Sequence, residues 1–152
     1  MNWPNDLPSI LLAVVLGAII GLERELSGKA AGLRTNILIC VGASVFTIIS
    51  VRLSAGREES VARIAAQVVT GVGFLGAGAI IQDRGGVHGL TTAATIWLVA
   101  SIGMACGAGM HRLAIIATAI GLGVLLCLMP LVKPFERRRL KRQPPEAAGK
   151  QL

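Results

Sequence analysis

Apolar residues fall in five runs along the chain, over residues 7–22, 35–53, 62–81, 91–110 and 113–132, with charged residues gathered between them. Runs of this kind have no face that water can solvate, so they need lipid or protein on every side. A perpendicular bilayer crossing takes about 20 residues, with a range of about 17 to 25. The last three runs reach that length and the second lies within the range. The first is shorter, so it either thins the bilayer or continues through Glu23 at the interface. Asn5 or Asp6 is a fitting cap for it, and Pro8 lies near its first turn, where a missing N–H costs little. The pattern predicts an all-α integral membrane protein, a compact bundle of about five transmembrane helices. The bundle occupies residues 1–133. After Pro134 the chain becomes polar and basic, with Pro144, Pro145 and Gly149, and residues 134–152 are expected to form a disordered tail.

Charge gives this bundle a direction. With the N-terminus outside, only Arg52, Arg57, Arg63 and Arg112 of the 15 Lys and Arg residues fall on the outer side. The excess on the other side places the C-terminus in the cytoplasm and the N-terminus in the periplasm or outside. Asp6 is the only charge before Glu23, so the basic start of a cleavable signal is missing and the first run is expected to be retained.

Composition narrows the function classes. Hydrophobic residues make up 53% of the 152 and charged residues only 15%, against about a quarter in a soluble domain. The net charge of +7 is concentrated in Arg137, Arg138, Arg139, Lys141 and Arg142. That cluster reads as a juxtamembrane anchor to the bilayer rather than a nucleic-acid patch, and with 3% aromatics and no Tyr there is no stacking platform for nucleic acid. Cys40, Cys106 and Cys127 lack metal or disulfide spacing and read as small buried hydrophobes. His88 and His111 stand alone, so no metal site is expected.

Residues 71–76 match the GxGxxG pattern of dinucleotide sites, but no strand–turn–helix context surrounds them and no carboxylate lies near Ile96 and Trp97. No cofactor is expected. Packing accounts for these glycines better: Gly71, Gly73, Gly76 and Gly78 thin the third span, while Gly17 with Gly21 and Gly103 with Gly107 form GxxxG pairs. Such pairs also fit a homodimer. The alternative is a helix broken to offer carbonyls to an ion, as in transporters.

Polar residues at membrane depth mark candidate sites. Arg63, Gln67 and Thr70 share one face of the third span, and Thr91 and Thr95 one face of the fourth. Both faces are expected to point into the bundle or an oligomer interface, either as interhelical hydrogen bonds worth about 0.6 kcal/mol each or as a hydrated pocket. At the cytoplasmic end of the first two spans lie Glu23, Arg24, Glu25, Lys29, Arg34 and Asn36. Glu23 is expected to pair with Arg34 across the loop, as a hairpin-fixing salt bridge or as part of a cation or anionic-ligand site. A second loop, residues 83–89 with Asp83, Arg84 and His88, emerges on the same side, and the two are expected to form a cytoplasmic cleft.

The stretches GLERELSGKAAGLRTNILICVGASVF, RIAAQVVTGVGFLGAGAIIQDRGGVHGLTTAATIWLVASIGMACGAG and HRLAIIATAI resemble the MgtC/SapB family of bacterial inner-membrane proteins, over residues 16–120. The resemblance implies a plasma-membrane protein of four or five spans. It also implies a link to growth at low magnesium, to survival of pathogens in macrophages and, for some members, to restraint of the F-type ATP synthase. The longer members carry a soluble C-terminal domain like ACT domains, which these residues do not include. Two functions compete: a non-catalytic regulator acting through helix contacts, and a cation transporter or channel for Mg²⁺. Mg²⁺ is usually held by carboxylates, and the third to fifth spans contain neither Asp nor Glu. An intramembrane enzyme would need a serine or aspartate pair at catalytic spacing, which the spans do not offer.

Overall fold

The computed structural model describes residues 3–54, 58–83 and 86–140, with side chains for 6–54, 63, 65–80 and 86–127. Arg57, Arg84, Gly85 and the tail from Lys141 lie outside the described residues, as do the side chains of Asn5, Asp83, Lys133 and Arg137 to Arg139. Five helices, α1 (Trp3–Leu26), α2 (Leu33–Leu53), α3 (Glu58–Gly78), α4 (Leu90–Gly107) and α5 (His111–Leu140), are joined in chain order. An antiparallel ribbon, β1 (Ile81–Asp83) with β2 (Gly86–His88), connects α3 to α4. Two compact units divide the chain, Met1–Leu122 and Gly123–Leu152.

The ribbon departs from the all-α expectation. It takes the end of the third apolar run, because α3 stops at Gly78 and Ile81 pairs with His88. Three-residue strands are too short to leave an alternation in the sequence. The first run continues through Glu23, one of the two courses expected of it, while among the described residues the third and fifth fall short of the length expected of them. The apolar part of α1 covers Asp6–Leu26, since the helix continues through Glu23 and Arg24, whose charges neutralise one another. Together with Leu33–Leu53 and Leu90–Gly107 it is long and apolar enough to cross a membrane, while the apolar stretches Ala65–Gly78 and His111–Cys127 are shorter. At the other end, α5 extends to Leu140, so residues 134–140, expected in the tail, are helical.

Glycine closes two of these helices in the same way. After α1, Gly28 adopts φ 65°, its N–H reaches the carbonyl of Glu25 and the Lys29 N–H that of Arg24, both at 3.0 Å. After α4, Gly109 adopts φ 76°, with bonds from Gly109 to Cys106 and from Met110 to Ala105. This is the Schellman stop, in which a left-handed residue returns two N–H groups to the last turn.

The centre of the first unit is α2, lying against α1, α3 and α4. Both GxxxG pairs meet it. A Cβ at Gly17 would lie 2.8 Å from the Cys40 Cβ, and one at Gly21 would lie 2.9 Å from the Leu33 Cα. From the α4 side, a Cβ at Gly103 would strike the Cys40 carbonyl and one at Gly107 the Ser44 carbonyl. The side of α2 facing these contacts carries Asn36, Cys40, Ala43, Ser44, Thr47 and Ser50, all buried. Its large side chains Leu38, Phe46, Val51 and Leu53 are exposed. On α1 the exposed residues Leu7, Leu11, Val15, Ile19, Leu22 and Leu26 form one stripe, opposite the buried Ala13, Gly17, Ile20 and Gly21.

Candidate functional site

At the end of α1 two neighbouring charges are buried together. The Arg24 guanidinium forms an ion pair with the Glu23 carboxylate through Nε and through Nη2, the latter at 2.7 Å from Oε1. Ser27 Oγ donates to the same carboxylate at 2.8 Å. Exposure of the two side chains is only 2% for Arg24 and 7% for Glu23. Placed one residue apart on a helix, the charges leave water as a neutralised unit. That is how ionised groups are tolerated in a poorly solvating interior.

The turn that follows is held by two further side chains. Gly32 at the start of α2 has no capping group of its own. Glu25 supplies one, accepting the Leu33 N–H at 2.9 Å, and a Cβ at Gly32 would collide with that carboxylate. Asn36, fully buried, donates from Nδ2 to the carbonyls of Ala31 at 2.7 Å and Gly32 at 2.8 Å. Its Oδ1 and the hydroxyl of Ser44 are buried without a hydrogen-bond partner among the described residues.

Glu23, Arg24, Glu25 and Asn36 therefore converge, but the expected Glu23–Arg34 pair does not form. Arg34 is exposed on α2, and Glu23 is paired with its chain neighbour instead. Nor do Arg63, Gln67 and Thr70 enter the interior: all three are exposed on α3. Thr91 is exposed and Thr95 buried. The interhelical bonds expected of the threonines are replaced by bonds to their own helices, from Thr70 to the Ala66 carbonyl at 3.0 Å and from Thr95 to that of Thr91 at 2.8 Å. A hydroxyl one turn above a carbonyl finds it without needing a second helix.

The glycines separate likewise. Gly17, Gly21, Gly103 and Gly107 are points of close approach, and Gly76 makes an ordinary contact with Ala93. Gly71, Gly73 and Gly78, expected as packing glycines, have nothing within 4 Å of where a Cβ would stand among the described residues. All three are exposed, Gly71 and Gly78 on one side of α3 and Gly73 on another.

Some residues that the sequence reading passed over take part at the opposite end of the helices. Asp6 pairs with Arg52, and Ser9 Oγ shares a 2.9 Å hydrogen bond with His111 Nε2. Helix register decides these pairings, which join residues at least 46 positions apart, whereas at the other end Ser27, one helical turn beyond Glu23, is a local signal. Among the described residues no group of three or more His, Cys, Asp or Glu side chains comes together.

The arrangement is that of a helical protein whose long apolar helices meet through glycine, with a neutralised charge pair buried at one helix end. The chain belongs to the MgtC family, which matches residues 10–134. It is 45% identical over 130 residues to the protein MgtC of Brucella abortus (strain 2308), covering 86% of this chain and 54% of that protein. To the protein MgtC of Salmonella typhimurium (strain LT2) it is 44% identical over 141 residues, covering 93% of this chain and 58% of that protein. The chain thus spans little more than half the length of the curated relatives it matches. No solved structure matches it.

Proposed function

We propose that this protein is a multi-pass protein of the bacterial plasma membrane that regulates a membrane partner through helix contacts, without catalysis, under magnesium limitation or related stress. The observation carrying the membrane part is the inverted distribution of side chains. Ser44, Thr47, Ser50 and Asn36 are buried while Leu7, Leu11, Leu38 and Phe46 are exposed. In water that arrangement would leave several large apolar groups solvated on every helix, and a contiguous exposed patch of this kind marks a surface made for lipid or a partner. In a bilayer it is the expected one, because lipid chains are as apolar as Leu and helices associate through small residues instead. All five helices are proposed to cross, with the α1–α2 turn and the ribbon on the cytoplasmic side.

The regulatory part is supported by the state of the charged site. The Glu23 carboxylate is already engaged by Arg24 and Ser27, so it is poorly placed to take a cation. The exposed small-residue face of α3 formed by Ala66, Thr70, Gly73 and Ala77 is a surface on which a partner helix, such as one of the F-type ATP synthase membrane sector or of a second copy, would pack. Cation transport is the competing reading, and it draws on Asn36 Oδ1 and Ser44 Oγ, two buried oxygens without a partner among the described residues. Reconstitution in liposomes decides between them. The expected result is Mg²⁺ entry no faster than in protein-free liposomes, with crosslinking in native membranes recovering a reproducible partner. Saturable entry that is lost in Glu23→Gln or Gln67→Ala would replace the regulatory reading with transport.

A further inference from the structure

We propose that the outer face between α2 and α3 is a binding groove for a single anionic phospholipid, with an acyl chain along the helices and the phosphate at Arg34 and Lys29. This inference rests on the membrane reading given above.

Two adjoining hollows make up the groove. The one nearer the α1–α2 turn has a volume of about 380 Å³, and the one farther along the helices about 640 Å³. They share Leu38, Ile39 and Leu75 as walls, and so adjoin end to end along the seam between the helices. Glycine gives it its depth. Gly42 on α2 and Gly71 on α3 both line it, and neither has anything within 4 Å of where a Cβ would be among the described residues. Gln67 is the polar residue at its far part, and the remaining lining there is aliphatic or aromatic. Such a surface has no affinity for water and a good fit to hydrocarbon.

Exposed cations stand near both ends: Arg63 lies one turn before Gln67 on α3, and two, Arg34 and Lys29, gather at the end nearer the α1–α2 turn. On α2 the lining residues Leu38, Gly42 and Phe46 follow one another every four positions, and so occupy one face of the helix. Arg34 is the preceding member of that series. It is exposed and has no ion pair among the described residues. Ala30 and Thr35 line the end of the groove, and each has a cation beside it in the chain, Lys29 and Arg34, both exposed. The positive end of the α2 dipole lies there too. Glu25 offsets part of this field, but its carboxylate is turned to the Leu33 N–H. From Thr35 to Phe46 the groove runs about 16 Å, at 1.5 Å per helical residue. An apolar groove of that length ending at two cations fits an amphiphile with a negative head, and basic pockets between membrane helices recognise anionic headgroups in this way.

The test uses the full chain purified from membranes, with bound lipid counted by native mass spectrometry after exposure to phosphatidylglycerol or phosphatidylcholine of matched chains. The expected result is one retained phosphatidylglycerol, held about fivefold or more tightly than phosphatidylcholine. Arg34→Gln should reduce that preference about fivefold. Gly71→Leu fills the groove at a point with free space around it, and should abolish retention of either lipid while leaving the helical content unchanged. Arg112→Gln, at the other end of the helices, should bind as the parent does. Equal retention of the two lipids by the parent, or undiminished retention in Gly71→Leu, overturns the proposal. So does a lipid-free dimer that Gly71→Leu converts to a monomer, since a second copy would then occupy the groove. Resistance of the parent to alkaline carbonate extraction keeps the two failures apart: a protein that stays in the membrane but shows no preference loses the lipid site alone, whereas an extracted protein loses the membrane reading as well.

Discussion

Burial makes the Glu23–Arg24 pair the residue-scale feature with the largest energetic consequence. Removing one partner leaves the other charge uncompensated where water does not reach, which costs about 3 to 5 kcal/mol for a buried pair. Glu23→Ala is therefore expected to lower stability by that order, while replacing both residues with Leu and Met should cost much less. A double-mutant cycle read by thermal unfolding in detergent measures the difference, and equal losses in single and double variants would count against it. The Asp6–Arg52 pair behaves differently. With Arg52 40% exposed, solvent screens the pair, and Asp6→Asn should change stability by less than about 1 kcal/mol. Sequence alone showed that charges gather between the first two spans. It did not show which acid meets which base, because Arg34 looked equally available until α2 turned it outward.

At the scale of the elements, glycines of similar appearance in the sequence do opposite things. Gly103 lies on α4 where any side chain would press on the Cys40 carbonyl and the Ala43 Cβ. Backbone on the far side cannot move away without parting α2 from α4, so Gly103→Ala should destabilise by about 1 to 3 kcal/mol, as overpacking does. Gly71 faces open space, and Gly71→Ala should be neutral or stabilising by up to about 1 kcal/mol, the helix-propensity difference between the residues. Melting temperatures of the two variants in the same detergent check this pair of predictions, and the reverse order would refute the assignment of α2 as the packing centre. The GxxxG spacing in α1 and α4 was readable beforehand. Its partner was not, since α2 carries the receiving surface in Asn36, Cys40, Ser44 and Thr47, a set that has no motif.

For the molecule as a whole, the proposed topology sets Lys29 and Met110 on opposite sides of the membrane. Cys40 and Cys106 are buried and Cys127 is exposed, so Cys127→Ser gives a suitable background. In it, a cysteine at Lys29 should react with an impermeant thiol reagent only in inverted vesicles, and one at Met110 only in intact cells or right-side-out vesicles. Labelling of both from the same side would mean that α2 to α4 do not cross an odd number of times, and the five-helix crossing would fall. The outward Leu, Ile and Phe residues of α1 and α2 argue for crossing because a helix in lipid buries its small and polar residues and leaves the large apolar ones outside.

The sequence by itself determined that five apolar runs exist and that the chain resembles the MgtC family. Each of these follows from local composition or from long stretches of shared residues, and neither depends on which helices touch. Only the tertiary structure decided that Glu23 pairs with Arg24 and that glycines of α1 and α4 both press on one face of α2. It also decided that Gly71 borders an open groove, and that the third apolar run gives up its end to a β-ribbon. These outcomes depend on contacts between residues far apart in the chain, where the rotation of each helix chooses which of several similar side chains is buried. In apolar runs this rich in small residues, almost any face could serve, so the choice is made by packing and not by pattern.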